Sequence, residues 1–418
     1  MEIQSIHRLY KENYLVDTDT RKIREGSIFF ALKGENFNGN KFAKLALDKG
    51  VRYCIIDEEE YYIDERTILV DDSLITLQLL ANYHRKELAI PIIALTGSNG
   101  KTTTKELINV VLKTQYNTVA TKGNLNNHIG VPLTLLSMNS QTEMGIVEMG
   151  ANHIKEIEFL SEIVEPDYGY ITNFGKAHLE GFGGIEGVIK GKSELYEYLL
   201  KNKKVVFVNP DNQKQLEITK DIKRILLPNE QITLENSQPF LELKYQDTTI
   251  KTNLVGTYNY TNILAAISIG QYFKISKENI KAAIEGYVSK NNRSQVIETN
   301  NNKILLDAYN ANPTSVELAL INFCETPHSN KIAILGDMFE LGKDSSKEHQ
   351  NIVDLSSNLG IQKLFFVGEN YSKTSAEMKF KSTNELQLYL QKNPITESYI
   401  LIKGSRGMAL ENLLDSIS

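Results

Sequence analysis

The stretch IPIIALTGSNGKTTTKE, residues 90–106, constrains this chain more than any other. An apolar run without alternation is a strand buried on both faces. It runs into a loop carrying Gly97 and Gly100, and KELINVVL follows at helical spacing, with Leu107, Val110, Val111 and Leu112 on or near one face. Strand, glycine loop and helix are the parts of a phosphate cradle: backbone N–H groups turn toward an anion at a positive helix N-terminus. The loop Gly97, Ser98, Asn99 and Gly100, with Lys101, Thr102 and Thr103, is therefore expected to bind nucleotide. Lys101 would neutralise phosphate charge and the Thr102 hydroxyl would sit on Mg2+. The usual spacing, G-x-x-x-x-G-K-[ST], is not met, because Leu95 stands five residues before Gly100. The competing reading is a plain glycine turn.

At 418 residues the chain is too long for one core. Strand-like and helical runs alternate, which predicts an α/β fold with parallel sheets. Three regions separate on pattern: 1–84, 85–294 and 295–418. The runs GIVEMG, YGYITN, KILLDAYN, KIAILGDM and YILIKGS each end in polar or glycine residues. Open parallel sheets bind ligands at the carboxyl ends of their strands, so Glu148, Asn173, Asp307, Asp337 and Lys403 are the first candidates for chemistry. A net charge of −6 argues against a nucleic-acid partner. No run is long enough for a membrane span and the N-terminus lacks a signal-peptide core. Two cysteines far apart in sequence, Cys54 and Cys324, suit reduced core positions and a cytoplasmic setting.

Other segments admit two readings each. Glu148 suits an Mg2+ ligand or a solvated or capping carboxylate. His178 lies in a loop where ligands are expected, though a lone histidine is more often structural; Lys190 and Lys192 stand before an apolar helical face, where the plain reading is a solvated helix start. Asn126 and Asn127 stand in an amide-rich loop that also makes turns. Asn259 and Asn262 open a small-residue helix and could face a base or cap it. Arg293, at a proposed boundary, could reach a γ-phosphate on closure. Lys403 and Arg406 beside glycines could hold a substrate carboxylate or phosphate.

The shorter loop T-G-x-x-G-K-[ST] resembles that of the Mur ligase and folylpolyglutamate synthase superfamily. With DTRKIREGSIFFALKGENFNG, GNLNNHIGVPLTLL, VEMGA, TNFGKAHLEGFGG, DAYNANP, LGDMFELG and KGSRGM in order, nearly the whole chain resembles the MurF ligases of peptidoglycan synthesis. The resemblance implies a UDP-substrate-binding α/β domain, a central P-loop ATPase-type parallel sheet and a C-terminal Rossmann-like domain. It implies ATP and Mg2+ as cofactors, and UDP-MurNAc-tripeptide and D-Ala-D-Ala as small-molecule substrates. Thr20 and Arg21 fall on the UDP-sugar site; Asn126, Asn127, Asn310, Asn312, Lys403 and Arg406 are expected near the substrates. Glu148, His178, Thr102 and Lys192 match the metal ligands, Lys192 as the lysine this family carbamylates. Asn262, Arg293 and Asp307 match nucleotide contacts, and Lys101, Lys192, His178 and Arg293 are the expected catalytic set. A monomer is expected.

Three positions depart from the family pattern: Asn40 and Tyr258 replace histidines, and Asn292 replaces the glycine before Arg293. The implied reaction phosphorylates the tripeptide carboxylate and lets the dipeptide amine displace phosphate. The alternatives are a sister ligase adding another amino acid, and a nucleotide-dependent switch or scaffold.

Overall fold

A computed structural model describes residues 2–290 and 292–417. Three sheets, mainly parallel, follow one another along the chain. The first contains Val16–Asp17, Ile28–Phe30, Tyr53–Ile56 and Thr67–Leu69 in that order, all parallel. Its outer face buries Phe29, Cys54 and Ile56 against Ala43, Ala46 and Leu47 of the helix Ala43–Asp48.

Asp72 caps the next helix, Ser73–Leu88, by accepting from the Ile75 amide at 2.8 Å. Leu77, Leu80 and Ala81 on this helix are fully buried. It runs straight through residue 84, where a boundary is expected from the sequence pattern. Arg85 anchors its end to the middle of the chain, donating to Val164 O at 3.0 Å and to the Asp167 carboxylate at 2.8 Å.

The central sheet has the order Lys223–Leu226, Val205–Val208, Tyr168–Ile171, Ile92–Thr96, Met144–Glu148, Thr118–Ala120, and every pairing is parallel. The chain leaves Ile92–Thr96 toward one edge and later returns to pair on its other side. Such a reversal opens a crevice beyond the carboxyl ends of the neighbouring strands. The phosphate loop, Glu148 and the Thr172–Asn173 pair all follow those strands. A three-stranded antiparallel sheet, Ile232–Asn236, Glu242–Tyr245 and Thr248–Lys251, packs on the far side.

The helix expected to start near Lys190 begins earlier, at Ile185, and continues to Lys201. Gly187 and Gly191 interrupt its pattern because Phe182 lies against it: a Cβ at Gly191 would sit 2.4 Å from the Phe182 ring. Lys192 is thus in mid-helix and buried, not at a solvated start.

The C-terminal sheet has the order Gln295–Glu298, Asn302–Asp307, Ser398–Lys403, Lys331–Gly336, Lys363–Val367, Lys379–Phe380. Only Gln295–Glu298 is antiparallel to its neighbour. Register sets Asp307 directly beside Lys403. No helix among the described residues is long and apolar enough to cross a membrane.

Candidate active site

Gly97, at φ +141°, and Gly100, at φ +77°, let the loop after Ile92–Thr96 turn into the helix Lys101–Leu112. The loop is braced by the end of the adjacent strand. Ser98 N donates to Asn173 O at 3.1 Å, Asn99 N donates to the Asn173 side chain at 3.1 Å, and the Thr172 hydroxyl donates to Asn99 O at 2.6 Å. Asn173 therefore braces the loop while also lining the cleft. Lys101 folds back into the turn and donates to Gly97 O at 2.7 Å. Burial and the nearby Arg293 guanidinium push its pKa down, against the opposing pull of Glu148.

Glu148 is almost fully buried at its strand end. One carboxylate oxygen accepts from the Thr102 hydroxyl at 3.0 Å and the other from Asn126 Nδ2 at 2.8 Å. Asn127 lines the same cleft, and its side-chain oxygen accepts from the Gly130 amide at 2.9 Å just ahead of the helix Gly130–Leu135. Lys192 Nζ donates to Ala151 O at 2.9 Å and lies 5.0 Å from the centroid of the Phe182 ring. Desolvation, reinforced by Lys101, holds its pKa well below the usual lysine value. His178 sits in the left-handed region at φ +53° and pairs through Nδ1 with Glu340 of the C-terminal sheet unit.

The C-terminal unit closes over the loop. Asn312 caps the helix Pro313–Glu325 and donates to Asn99 Oδ1 at 2.7 Å. Lys176 pairs with Glu348 at 2.7 Å. Between the two units lies a cleft of about 860 Å³, lined by the phosphate loop, Glu148, His178, Arg293 and Asp307 among others. Arg293 lies flat on Tyr309, with its guanidinium carbon 3.8 Å from the ring centroid. Tyr309 stands within the DAYNANP segment, yet nothing in the sequence marks it as the platform for Arg293.

Several expected site residues have other partners. Lys403 is buried and donates to Asp307 Oδ2 at 2.5 Å and to Asn310 O at 3.3 Å, so it is not a free cation for a substrate carboxylate. Asp307 is engaged from both sides, its other oxygen accepting from Ser294 N at 3.2 Å. The Asn310 side chain accepts from Ala311 N at 2.9 Å. Arg406 is outside the cleft lining and pairs with Glu411 at 2.8 Å. Asn262 packs beneath Gly100, accepting from Thr104 at 3.0 Å and donating to Asn259 at 2.8 Å. It braces the loop and also lines the cleft. Thr20 and Arg21 are in the N-terminal unit, away from the cleft. Arg21 pairs with Asp19 at 2.8 Å, and that ion pair lowers the Asp19 pKa to about 2. Asn40 is fully buried, donating to Asp57 at 2.7 Å and accepting from its amide at 3.0 Å. The Tyr258 hydroxyl bonds Ser294 Oγ at 2.8 Å. Asp337 is not a cleft residue; its carboxylate accepts from Asn370 N at 2.9 Å and Tyr371 N at 3.0 Å and so fixes a neighbouring loop. Thr103, adjacent to Thr102, lines the cleft.

Family models match the chain in three consecutive pieces. The Mur ligase family catalytic domain covers residues 13–85, the Mur ligase middle domain 95–270, and the Mur ligase glutamate ligase domain 292–406. The UDP-N-acetylmuramoyl-tripeptide–D-alanyl-D-alanine ligase of Bacillus subtilis strain 168 is 34% identical over 96% of this chain and 92% of its own length. This chain belongs to the Mur ligase family, on its MurF branch. The Escherichia coli K12 ligase of the same name is 31% identical, covering 96% of this chain and 93% of that one. Among solved structures, MurF from Acinetobacter baumannii has a TM-score of 0.84 at 30% identity, over 96% of this chain and 92% of that chain. MurF from Thermotoga maritima in complex with ADP has the same fold, with a TM-score of 0.83 at 24% identity over 96% of each chain. The three-domain Mur ligase architecture thus accounts for the three sheets and the cleft between the second and third.

Proposed function

We propose that this Mur ligase uses ATP to join D-alanyl-D-alanine to UDP-N-acetylmuramoyl-tripeptide, giving the pentapeptide precursor for peptidoglycan. The observation that carries it is the meeting of two units on one loop: Asn312 bonds Asn99 while Lys101, Glu148 and Arg293 line the same cleft. The names of the full-length relatives supply the substrates. The division into a UDP-sugar-binding unit (1–84), an ATP-binding unit (85–294) and a C-terminal unit (295–418) follows from that reading, as do a cytoplasmic location and a monomeric state.

A carboxylate is a poor acyl donor, and phosphorylation gives it a leaving group. The tripeptide carboxylate attacks the γ-phosphorus of ATP and releases ADP. The dipeptide amine then adds to the acyl carbon and phosphate departs. Lys101 and Arg293 carry the positive charge that phosphoryl transfer needs, and both are held by packing rather than free in solvent. Closure of the C-terminal unit over the loop excludes water that would hydrolyse the acyl phosphate.

The donors suit a hard cation, since Glu148 and Thr102 present oxygen atoms side by side. Mg2+ held there would neutralise phosphate charge, and His178 lines the same cleft. Lys192 fits the family's carbamate chemistry: buried, with a carbonyl and an aromatic ring for company, it is disposed to stay neutral. A neutral amine adds CO2 and releases one proton, turning the lysine into an anionic oxygen ligand.

The test is phosphate release by the purified protein with Mg-ATP and each small substrate alone and together, with mass detection of product. Release only with both, and a UDP-MurNAc-pentapeptide mass, supports the ligase. Activity with a single amino acid and a shorter nucleotide-peptide would instead mean a sister specificity. Silence in every combination, with ATP still bound, would favour a switch or scaffold.

A further inference from the structure

The segment LGDMFELG, residues 335–342, places almost none of its side chains in the cleft, yet its backbone is held at one residue after another. Asp337 N donates to Val367 O at 2.9 Å, Met338 N to His349 Nε2 at 3.0 Å, and Phe339 N to Ser405 Oγ at 3.0 Å. Asp337 O accepts from Ser405 N at 3.1 Å, and the Asp337 carboxylate ties down residues 370 and 371. His349 is fully buried and anchored in turn, with Nδ1 on Ser345 O at 2.7 Å.

This scaffold delivers one side chain across the domain junction. Glu340 lies at φ +62°, a conformation that a non-glycine residue keeps only where its surroundings over-determine it. Its backbone oxygen accepts from Glu180 N at 3.2 Å, and its carboxylate pairs with Nδ1 of His178. His178 is itself left-handed at φ +53°. Two strained residues from different units therefore meet side chain to side chain. No described residue bonds His178 Nε2, so that nitrogen is the one left to the cleft.

We propose that Glu340 is a positioning residue for His178: docking of the C-terminal unit brings its carboxylate to Nδ1, fixing the ring and its tautomer and leaving Nε2 as the donor to the cleft. The inference rests on the reading of His178 as a metal ligand. A carboxylate on the far nitrogen of a ligating histidine orients the ring and raises its basicity. The metal site is then complete only when the two units are closed, which ties ATP use to closure. Lys176–Glu348 holds the same junction without touching His178, so docking and orientation can be separated.

The experiment measures Mn2+ binding to the ADP complex of the full chain by the paramagnetic signal of free Mn2+, beside steady-state kinetics. Glu340→Ala is expected to weaken Mn2+ binding roughly 10- to 100-fold and to lower kcat by a similar factor, with the KM for the UDP substrate little changed. Glu348→Ala, which loosens docking alone, should keep Mn2+ affinity within a few-fold of wild type. Wild-type Mn2+ affinity in Glu340→Ala, or an equal loss in Glu348→Ala, overturns the proposal. Should Glu340→Ala not fold, Glu340→Gln carries the test: its amide oxygen still accepts from Nδ1 without the charge, so a smaller loss is expected, and no loss overturns it. His178→Ala distinguishes the two layers. If it leaves Mn2+ affinity intact, the metal-ligand reading fails; if it weakens binding while Glu340 variants do not, only the positioning role fails.

Discussion

Asn99 of the phosphate loop and Asn312 at the start of a C-terminal helix are joined by a hydrogen bond of 2.7 Å, across 213 residues of sequence. Each amide has a second task. Asn312 caps its own helix through a reciprocal pair with Ser315, and the Asn99 backbone is clamped by Thr172 and Asn173. The bond therefore links two rigid bodies rather than two mobile side chains, and the loop senses whether the C-terminal unit is docked.

Removing either amide should slow turnover more than it weakens nucleotide binding, since the cradle belongs to the central unit alone. Asn99→Ala and Asn312→Ala are each expected to lower kcat while leaving ATP affinity within a few-fold of wild type. Residues in direct contact couple by about 0.5–3 kcal/mol in double-mutant cycles. The double variant should therefore be less impaired than the product of the two single effects. Strict multiplication of the kcat ratios would mean that the bond does not act in the closed form.

Gly97 has no room for a side chain. A Cβ there would lie 2.0 Å from the Thr172 hydroxyl, which is the group that holds Asn99. Gly97→Ala should displace the loop and reduce nucleotide affinity at least tenfold, as measured by titration with a fluorescent ATP analogue. Gly123→Ala is the control: its φ of +55° is also left-handed, but a Cβ there meets nothing within 4 Å. Equal losses in both variants would show that backbone strain, not the clash with Thr172, sets the effect.

A pair of histidines ties the N-terminal helix Ile3–Tyr10 to the rest of the chain. His7 Nε2 and His84 Nδ1 are 3.1 Å apart, His84 Nε2 is 3.0 Å from Met138 O, and Tyr10 donates to Leu136 O at 2.8 Å. Burial lowers the pKa of both histidines, that of His84 from its ordinary 6.5 to about 4. The unfolded chain therefore binds more protons than the folded one between those values, so stability falls as pH drops through that window and levels off below it. The full shift of His84 corresponds to about 3 kcal/mol. The urea midpoint of wild type should decline from pH 7.5 to pH 5 more steeply than that of His84→Gln, whose amide can still donate to Met138 O. Parallel slopes for the two proteins would exclude the histidine as the source.

The phosphate loop was readable because its function lies in contiguous residues and backbone geometry: two glycines, a lysine and a threonine between a strand and a helix. Glu148 was readable too, since a strand end in a parallel sheet has a fixed position relative to that loop. The partner of Lys403 was not: the register of two strands far apart in sequence sets it beside Asp307 at the cleft wall. Asp337 ends a strand as Glu148 does, but its strand lies farther from the junction and its carboxylate serves a neighbouring loop. The burial of Lys192 is not legible from the residues alone, because glycines at 187 and 191 obscure the helix that carries it; only the resemblance singles it out. The packing of Phe182 explains those glycines. Glu340 and Tyr309 gave no signal, for each acts on a side chain from another unit or segment.

Lys192 supports the most chemical of the predictions. It is 1% exposed, bonds one carbonyl and has no carboxylate partner among the described residues. An ammonium so placed is destabilised, and its pKa is held well down by desolvation and by Lys101. The neutral amine is therefore populated at a lower pH than for an exposed lysine, and it can capture CO2 where an ordinary lysine would stay protonated. Wild-type activity should fall when CO2 and bicarbonate are stripped from the buffer and return when bicarbonate is added. The dependence should weaken as pH rises, because more of the amine is then free to capture residual CO2. Protein incubated with isotopically labelled bicarbonate should show one carbamate carbon resonance that disappears in Lys192→Ala, a variant expected to lose at least two orders of magnitude in kcat, the scale of removing one preorganised electrostatic group. Full activity without CO2, together with no labelled resonance, would mean that Lys192 works as a plain amine packed against Phe182.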